Sequence, residues 1–253
     1  MEQITSRANP LITRFRKLAS DRKLRRKEGL MVCEGPKMLS EALAWGFVPE
    51  TALVTEDFEG TLPEETRTVQ VPADLLKSVA PTQTPQKVLF LVPVPSASLP
   101  ETLTGKRYLV LDGLQDPGNV GTLWRTADAF GADGLILLPG CADPWSPKTV
   151  RATMGACFRL PVWEAALEAA RAVFSRSRLA LYATALRDDT LDLRELTDAR
   201  CAVAVGSEGH GVSRALLDAC DATVKIPMTD RCESLNAAVA GAVVLWELAR
   251  SAL

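Results

Sequence analysis

The 253-residue chain has one histidine, His210, so chemistry built on a pair of imidazoles is excluded. Its six cysteines (Cys33, Cys141, Cys157, Cys201, Cys220 and Cys232) contain no Cys-x-x-Cys pair. Five of them lie in or beside apolar stretches, where a free thiol behaves as a small hydrophobe. Neither a zinc site nor a disulfide framework is expected, and no metal is assigned. No apolar run approaches the roughly 20 residues that span a bilayer, and the polar start MEQITSRANP carries no secretory signal. The expectation is a soluble cytoplasmic protein with no membrane partner. Internal repeats and low-complexity tracts are absent, and so are the G-x-G-x-x-G and G-x-x-x-x-G-K-[ST] phosphate loops.

The chain does have the length for one large domain or two modest ones, with 47% hydrophobic and 24% charged residues, ordinary for a globular protein. Its net charge of −2 is unevenly spread. Residues 1–29 hold nine Lys/Arg against Glu2, Asp21 and Glu28, a net +6 that leaves −8 elsewhere. A basic end on an acidic body suits contact with a polyanion. Charge alone fits a solvated helix face equally well.

Elements alternate along the chain. In NPLITRFRKLASDRKLRRKEG, Asn9 is a helix N-cap and Pro10 the first helical residue. Leu11, Phe15 and Leu18 recur at helical spacing, which puts the arginines on the other face. Strand-like LMVCEG, helix-like PKMLSEALAWG, then TALVT, TVQV, PADLLKSVA and KVLFLVP complete a small α/β domain over residues 1–92. The Pro/Ser/Thr-rich stretch 93–105 reads as a linker. From 106 to 253, strands RYLVLD, GLILLP, LALYAT, CAVAVG and TVKIP alternate with helices near 118–130, 147–155, 164–175, 213–220 and 234–251. Uniformly apolar strands are buried on both faces, as in a parallel sheet between helices. Ligands of such sheets sit beyond the carboxyl ends of the strands.

Three post-strand segments carry polar residues. The first, DPGNVGTLWRTADAFGAD, places Asn119 and Arg125 on one helix, Arg125 less than two turns in. The second, GSEGHGVS, surrounds Glu208 with glycines. A carboxylate there would repel phosphate and suits a neutral or cationic group, while His210 reads as a plain loop residue. The third runs from Ile226-Pro227-Met228 to Ser234-Leu235-Asn236, where an almost wholly apolar helix begins, of the kind buried in a core or a subunit interface.

LDGLQDPGNVGTLWRTADAFGADGLIL, AVGSEGHGVS and IPMTDRCESLNAAVA, in this order and spacing, resemble the three motifs of the SpoU/TrmH ribose 2′-O-methyltransferases of the SPOUT class. Residues 1–92 resemble, more weakly, the RNA substrate-binding domain that many members carry, akin to small ribosomal proteins. The resemblance implies a trefoil-knotted parallel-sheet SPOUT domain at 106–253, a homodimer with active sites at its interface, and S-adenosyl-L-methionine as methyl donor. It assigns Asn119, Arg125, Glu208, Ser234 and Asn236 to the catalytic set, and Gly206, Ile226, Met228 and Leu235 to the cofactor pocket. Asp230 stands where relatives usually have glycine, followed by Arg231 and Cys232, and Ala237-Ala238 replaces the commoner Val-Ser.

An arginine resists deprotonation, so Arg125 suits a clamp on an RNA phosphate beside the target ribose; either that phosphate or Arg125 itself would receive the hydroxyl proton. The basic residues Arg22, Lys23, Arg25, Arg26 and Lys27 are the candidates for RNA contact in the N-terminal domain. A separate N-terminal domain favours ribosomal over transfer RNA as the substrate. A catalytically silent RNA-binding assembly factor would not need the polar set at Asn119, Arg125, Glu208, Ser234 and Asn236. A dinucleotide-dependent oxidoreductase would need a fingerprint that this chain lacks.

Overall fold

The computed structural model describes residues 2–95, 98–187, 189–196, 200–229, 231 and 234–250. Two sequence expectations, at Asp230 and Cys232, lie outside the described residues. The chain divides into two compact units, Met1–Ser96 with Asp143–Arg159, and Ala97–Ala142 with Leu160–Leu253. The sequence reading placed residues 143–159 with the second domain.

The first unit begins with β1 (Glu2–Gln3), α1 (Pro10–Ser20), α2 (Arg22–Glu28), β2 (Leu30–Glu34), α3 (Pro36–Ala44), β3 (Thr51–Val54), β4 (Arg67–Gln70), α4 (Ala73–Val79) and β5 (Val88–Pro93). Its strands form a mixed sheet in the order β1-β4-β3-β5-β2. Asn9 caps α1 as expected, accepting from the Leu11 amide at 2.8 Å. Leu11, Ile12, Phe15 and Leu18 pack on Leu53, Val69, Leu89 and Leu91. Each such buried side chain contributes about 1.5–3 kcal/mol.

The basic helical run is broken at Asp21. Its backbone amide closes α1 onto Lys17 O, while its side chain accepts from the Lys23 and Leu24 amides at 2.8 and 3.1 Å and starts α2. This break corrects one candidate RNA contact. Arg25 is only 4% exposed. Its guanidinium lies 2.6 Å from Asp143 and donates to Leu18 O at 2.5 Å. A buried, fully engaged guanidinium cannot meet a phosphate. Arg22 is half-buried with Nε 3.9 Å from Asp143, whereas Lys23, Arg26 and Lys27 are exposed.

The rest of the chain forms β6 (Arg107–Asp112), α5 (Pro117–Ala129), β7 (Gly134–Leu137), α6 (Pro147–Thr153), β8 (Val162–Glu164), α7 (Leu167–Ser177), β9 (Ala180–Thr184), β10 (Leu191–Asp192), β11 (Cys201–Gly206), α8 (Arg214–Ala219), β12 (Ala222–Lys225) and α9 (Ala237–Ala249). Helix α6 falls in the segment that belongs to the first unit. The second unit's sheet runs β10-β12-β9-β11-β6-β7-β8 with every pairing parallel. Its core on one side gathers Val110, Ile136, Phe174, Leu181, Ala202 and Leu216.

Several boundaries differ from the sequence reading. The stretch expected to begin a helix at 164 is instead the end of edge strand β8, and α7 starts at Leu167. Pro93, expected in the linker, still pairs with Leu30 as the last residue of β5. Helix α5 begins at Pro117 because Asp116 supplies its cap, accepting from the Asn119 amide at 2.9 Å. Helix α9 starts at Ala237, its amides at Ala238 and Val239 capped by Asn236 Oδ1.

Candidate active site

The sheet order decides which post-strand segments meet. Strands β6 and β11 are parallel neighbours with Asp112 opposite Gly206, so the turn into α5 and the loop after β11 emerge side by side. On the other edge of β11 lies β9, and β12 follows it. The chain runs outward from β6 through β7 to β8 and then returns to the far side of β11. Such a reversal opens a crevice at the carboxyl ends of the strands.

That crevice is a cleft of about 280 Å³. Glu208 and Ser234 line it from the catalytic set, and all four expected cofactor residues, Gly206, Ile226, Met228 and Leu235, line it too. Asn119 Nδ2 donates to Glu208 Oε1 across 89 residues of sequence. The hydrogen bond leaves Asn119 at the mouth of the cleft and fixes the direction of the carboxylate. Arg125 and Asn236 are not among the lining residues. Arg125 is exposed and makes no hydrogen bond or ion pair among the described residues. It stands about 9 Å along α5 from Asn119 and about 120° around the axis. Asn236 uses its side-chain oxygen to start α9.

The loop from Gly206 to Ser213 is folded tightly. Ser207 and Gly211 exchange backbone hydrogen bonds of 3.0 and 2.8 Å. A Cβ on Gly206 would lie 2.0 Å from the Gly211 carbonyl carbon, so only glycine fits beneath this turn. Gly211 itself has φ +66°, a conformation that favours glycine. Buried Asp112, at the end of β6, accepts from the Ser213 amide at 2.7 Å and ties down the far end of the loop. Both residues lie within the quoted motifs but were assigned no role, since an acidic side chain ending an apolar strand gives no sign of the loop it will hold.

The sequence reading also missed Thr184, Ala185 and Leu186, which line the cleft after β9. The signal was present in principle: β9 is another strand of the same parallel sheet, so its carboxyl end was a candidate on the same grounds. Apolar Leu186, Val205, Ile226, Met228 and Leu235 line it, with Glu208 and Lys225 as the charged lining residues among those described, which makes a site for an apolar-bodied ligand carrying polar or charged groups. No group of His, Cys, Asp and Glu suited to a metal ion occurs among the described residues.

A second feature lies on α5 and α9. Thr122, Thr126, Phe130, Val239, Val243 and Trp246 form an open apolar surface. Val239 and Trp246 are 50% and 52% exposed, although the apolar sequence of α9 suggested burial all round. Phe130 and Trp246 meet edge-on at 5.6 Å between ring centroids.

Residues 106–246 match the model of the SpoU rRNA methylase family. The chain belongs to that family. It is an RNA methyltransferase by that membership, and residues 9–89 match the MRM3-like substrate binding domain. Among full-length relatives, the 23S rRNA (guanosine(2553)-2′-O)-methyltransferase RlmP of Bacillus subtilis is 33% identical, covering 98% of this chain and 99% of its own. The crystal structure of an AdoMet-bound rRNA methyltransferase from Sinorhizobium meliloti superposes with a TM-score of 0.85 at 30% identity, covering 100% of this chain and 98% of that one. The SpoU methyltransferase AviRb of Streptomyces viridochromogenes, in complex with AdoMet, gives 0.83 at 28% identity over 96% and 98% of the two chains. No helix among the described residues is long and apolar enough to cross a membrane.

Proposed function

We propose that this SpoU-family enzyme transfers a methyl group from S-adenosylmethionine to a ribose 2′-hydroxyl of RNA, with ribosomal RNA as the substrate class. The observation that carries the reading is the glycine-floored apolar cleft with the Asn119–Glu208 pair at its mouth. When bound, S-adenosylmethionine supplies an activated methyl on a positively charged sulfonium. Gly206, Ile226, Met228 and Leu235 are assigned to hold its adenosyl part, aided by Leu186. Glu208 offers negative charge beside a cation, and Asn119 keeps that carboxylate oriented. Arg125, exposed and uncommitted among the described residues, is assigned to grip an RNA phosphate beside the target ribose and so align its hydroxyl. Ser234 and Asn236 complete the set at the start of α9, where Asn236 acts through the helix cap.

Residues 1–92, expected as the RNA substrate-binding domain, are proposed in that role with Pro93 completing β5 and 143–159 grouped with them, and the remaining residues of 106–253 as the methyltransferase domain; the match to a substrate-binding family model supports this. The relative named for 23S ribosomal RNA supports ribosomal RNA over transfer RNA. The exposed α5–α9 face supports a homodimer, because a contiguous exposed apolar surface marks an interaction site. The placement of β12 between β10 and β9, inside the sheet, supports the knotted path that the resemblance implies.

The test is methyl transfer from isotopically labelled S-adenosylmethionine to undermethylated ribosomal RNA, followed by nucleoside analysis. Label is expected on ribose oxygen. Arg125→Ala should abolish it while leaving cofactor affinity near that of the parent protein. Label on a base, or a large loss of cofactor affinity in a folded Arg125→Ala protein, would overturn the assignment.

A further inference from the structure

The first unit contains a cavity of about 250 Å³ that the methyl-transfer reaction does not use. Glu34, Met38, Thr82, Gln86, Arg151 and Met154 are among its lining residues. Glu34 ends β2 and is followed by Gly35 at φ +97°, where a Cβ would strike the Gln86 side chain. The Glu34 carboxylate is divided in its partners. Oε1 accepts from Thr82 Oγ1 at 2.7 Å and from the Gln86 amide at 3.2 Å. Oε2 is buried and has no hydrogen-bond partner among the described residues. A charged acceptor without a partner is costly, and native structures rarely keep one without a reason.

Three neighbours indicate what that oxygen awaits. Arg151 is exposed and its guanidinium has no hydrogen bond or ion pair among the described residues. Lys37 also lines the cavity, its ammonium held at the rim by Glu41 at 2.6 Å. Met154 is 41% exposed and adopts φ +51°, a left-handed conformation uncommon outside glycine. An exposed thioether, a cation pair and a buried acceptor together suit one unstacked nucleotide: a flat apolar face, a phosphate and a donor edge. The volume is below that of ordinary ligand pockets, at about 300–1,000 Å³, and matches a single base better than a larger ligand.

We propose that this cavity takes one splayed-out base of the RNA substrate, reads its exocyclic amino group through Glu34 Oε2, and holds the adjoining phosphate through Arg151. The proposal rests on the RNA-substrate reading given above. Single-stranded RNA is recognised by such extruded bases, hydrogen-bonded on their pairing edges, and a carboxylate accepts from the cytosine amino group. Guanine, adenine and cytosine carry an amino group. Uracil presents carbonyl oxygens in its place, which a carboxylate repels.

Short oligocytidylate and oligouridylate isolate this difference, because the two bases share size and ring shape. Binding is followed in the full-length protein carrying ¹³C-methyl methionine. Met38 and Met154 report the cavity, Met31 the buried core, and Met228 the cofactor cleft. Oligocytidylate should bind on the order of tenfold tighter than oligouridylate, the effect of one hydrogen bond to a charged group, and should shift the Met38 and Met154 signals. Glu34→Gln keeps an oxygen for Thr82 and Gln86 while placing a donor at the Oε2 position. It should erase or invert the preference, and Arg151→Ala should weaken both oligonucleotides alike. Equal binding of the two oligonucleotides, or shifts that spare Met38 and Met154, would overturn the proposal. A failure of the enzymatic reading would show elsewhere, as no response of Met228 to S-adenosylmethionine and no labelled RNA.

Discussion

Gly206→Ala should cripple cofactor binding through backbone geometry alone. The added methyl would sit 2.0 Å from the Gly211 carbonyl carbon and 2.1 Å from the Val212 nitrogen. These are main-chain atoms, which cannot swing aside as a flexible side chain would, so relief requires residues 207–211 to lift away. Lifting forfeits the two Ser207–Gly211 bonds and the Asn119–Glu208 contact. Backbone bonds are worth about 1 kcal/mol each and one to a carboxylate about 1.5–3 kcal/mol. Glu208 is exposed, so water recovers part of the last, leaving about 2–4 kcal/mol. If the closed loop is the binding-competent form, that cost passes directly into apparent affinity, weakening S-adenosylmethionine binding by roughly 30- to 700-fold. Titration calorimetry measures this, and amide hydrogen exchange at Ser207 and Gly211 should accelerate in parallel. Gly209→Ala is the control, since a Cβ there meets nothing within 4 Å. A Gly206→Ala protein that binds within threefold of the parent and keeps its protected amides would refute the reasoning.

Asn119→Asp should harm turnover more than Asn119→Ala, because two facing carboxylates repel by about 1–4 kcal/mol at 4 Å. Adding Glu208→Gln should restore the contact with its polarity reversed and recover part of the lost turnover; no coupling in this double-mutant cycle would show that the pair does not act together. Arg25→Ala should destabilise the protein by about 3–5 kcal/mol, as it strands Asp143 beside a broken buried pair, without altering the salt dependence of RNA binding. Replacing Lys23, Arg26 and Lys27 with Gln should instead flatten the slope of log affinity against log salt by about 2–3, and an unchanged slope would return them to a solvated helix face. Burial pushes the Cys157 thiol up to about 12 and the Cys141 thiol up to about 11, so both should resist alkylation at pH 8 until the chain unfolds. Because these folded values exceed the unfolded value of about 8.5, their contribution to stability is full below that pH and falls as pH rises toward 11–12. Trp246→Glu should lower self-association in sedimentation experiments; an unchanged mass would place any dimer contact elsewhere.

Local pattern determined much of this protein. Apolar runs of strand length, Pro10 after Asn9, and polar residues directly after strands marked the alternation of elements and the ends where chemistry belongs. They did so because side-chain periodicity and capping are encoded by residues near each other in the chain. Pattern did not determine which strands become neighbours. Only the parallel pairing of β6 with β11 brings Asn119 to Glu208, and only the place of β9 beside β11 adds Leu186 to the cleft. Arg25 shows the same limit on a smaller scale. Its neighbours in sequence are exposed lysines and arginines, yet the break at Asp21 redirects the helix and its charge is used up inside the fold on Asp143, 118 residues away. The grouping of residues 143–159 with the N-terminal unit is likewise settled by such contacts, including Arg159 with Glu41 and Phe158 with Phe47. Pairings of this kind depend on how non-local surfaces fit together, and no window along the sequence contains both partners.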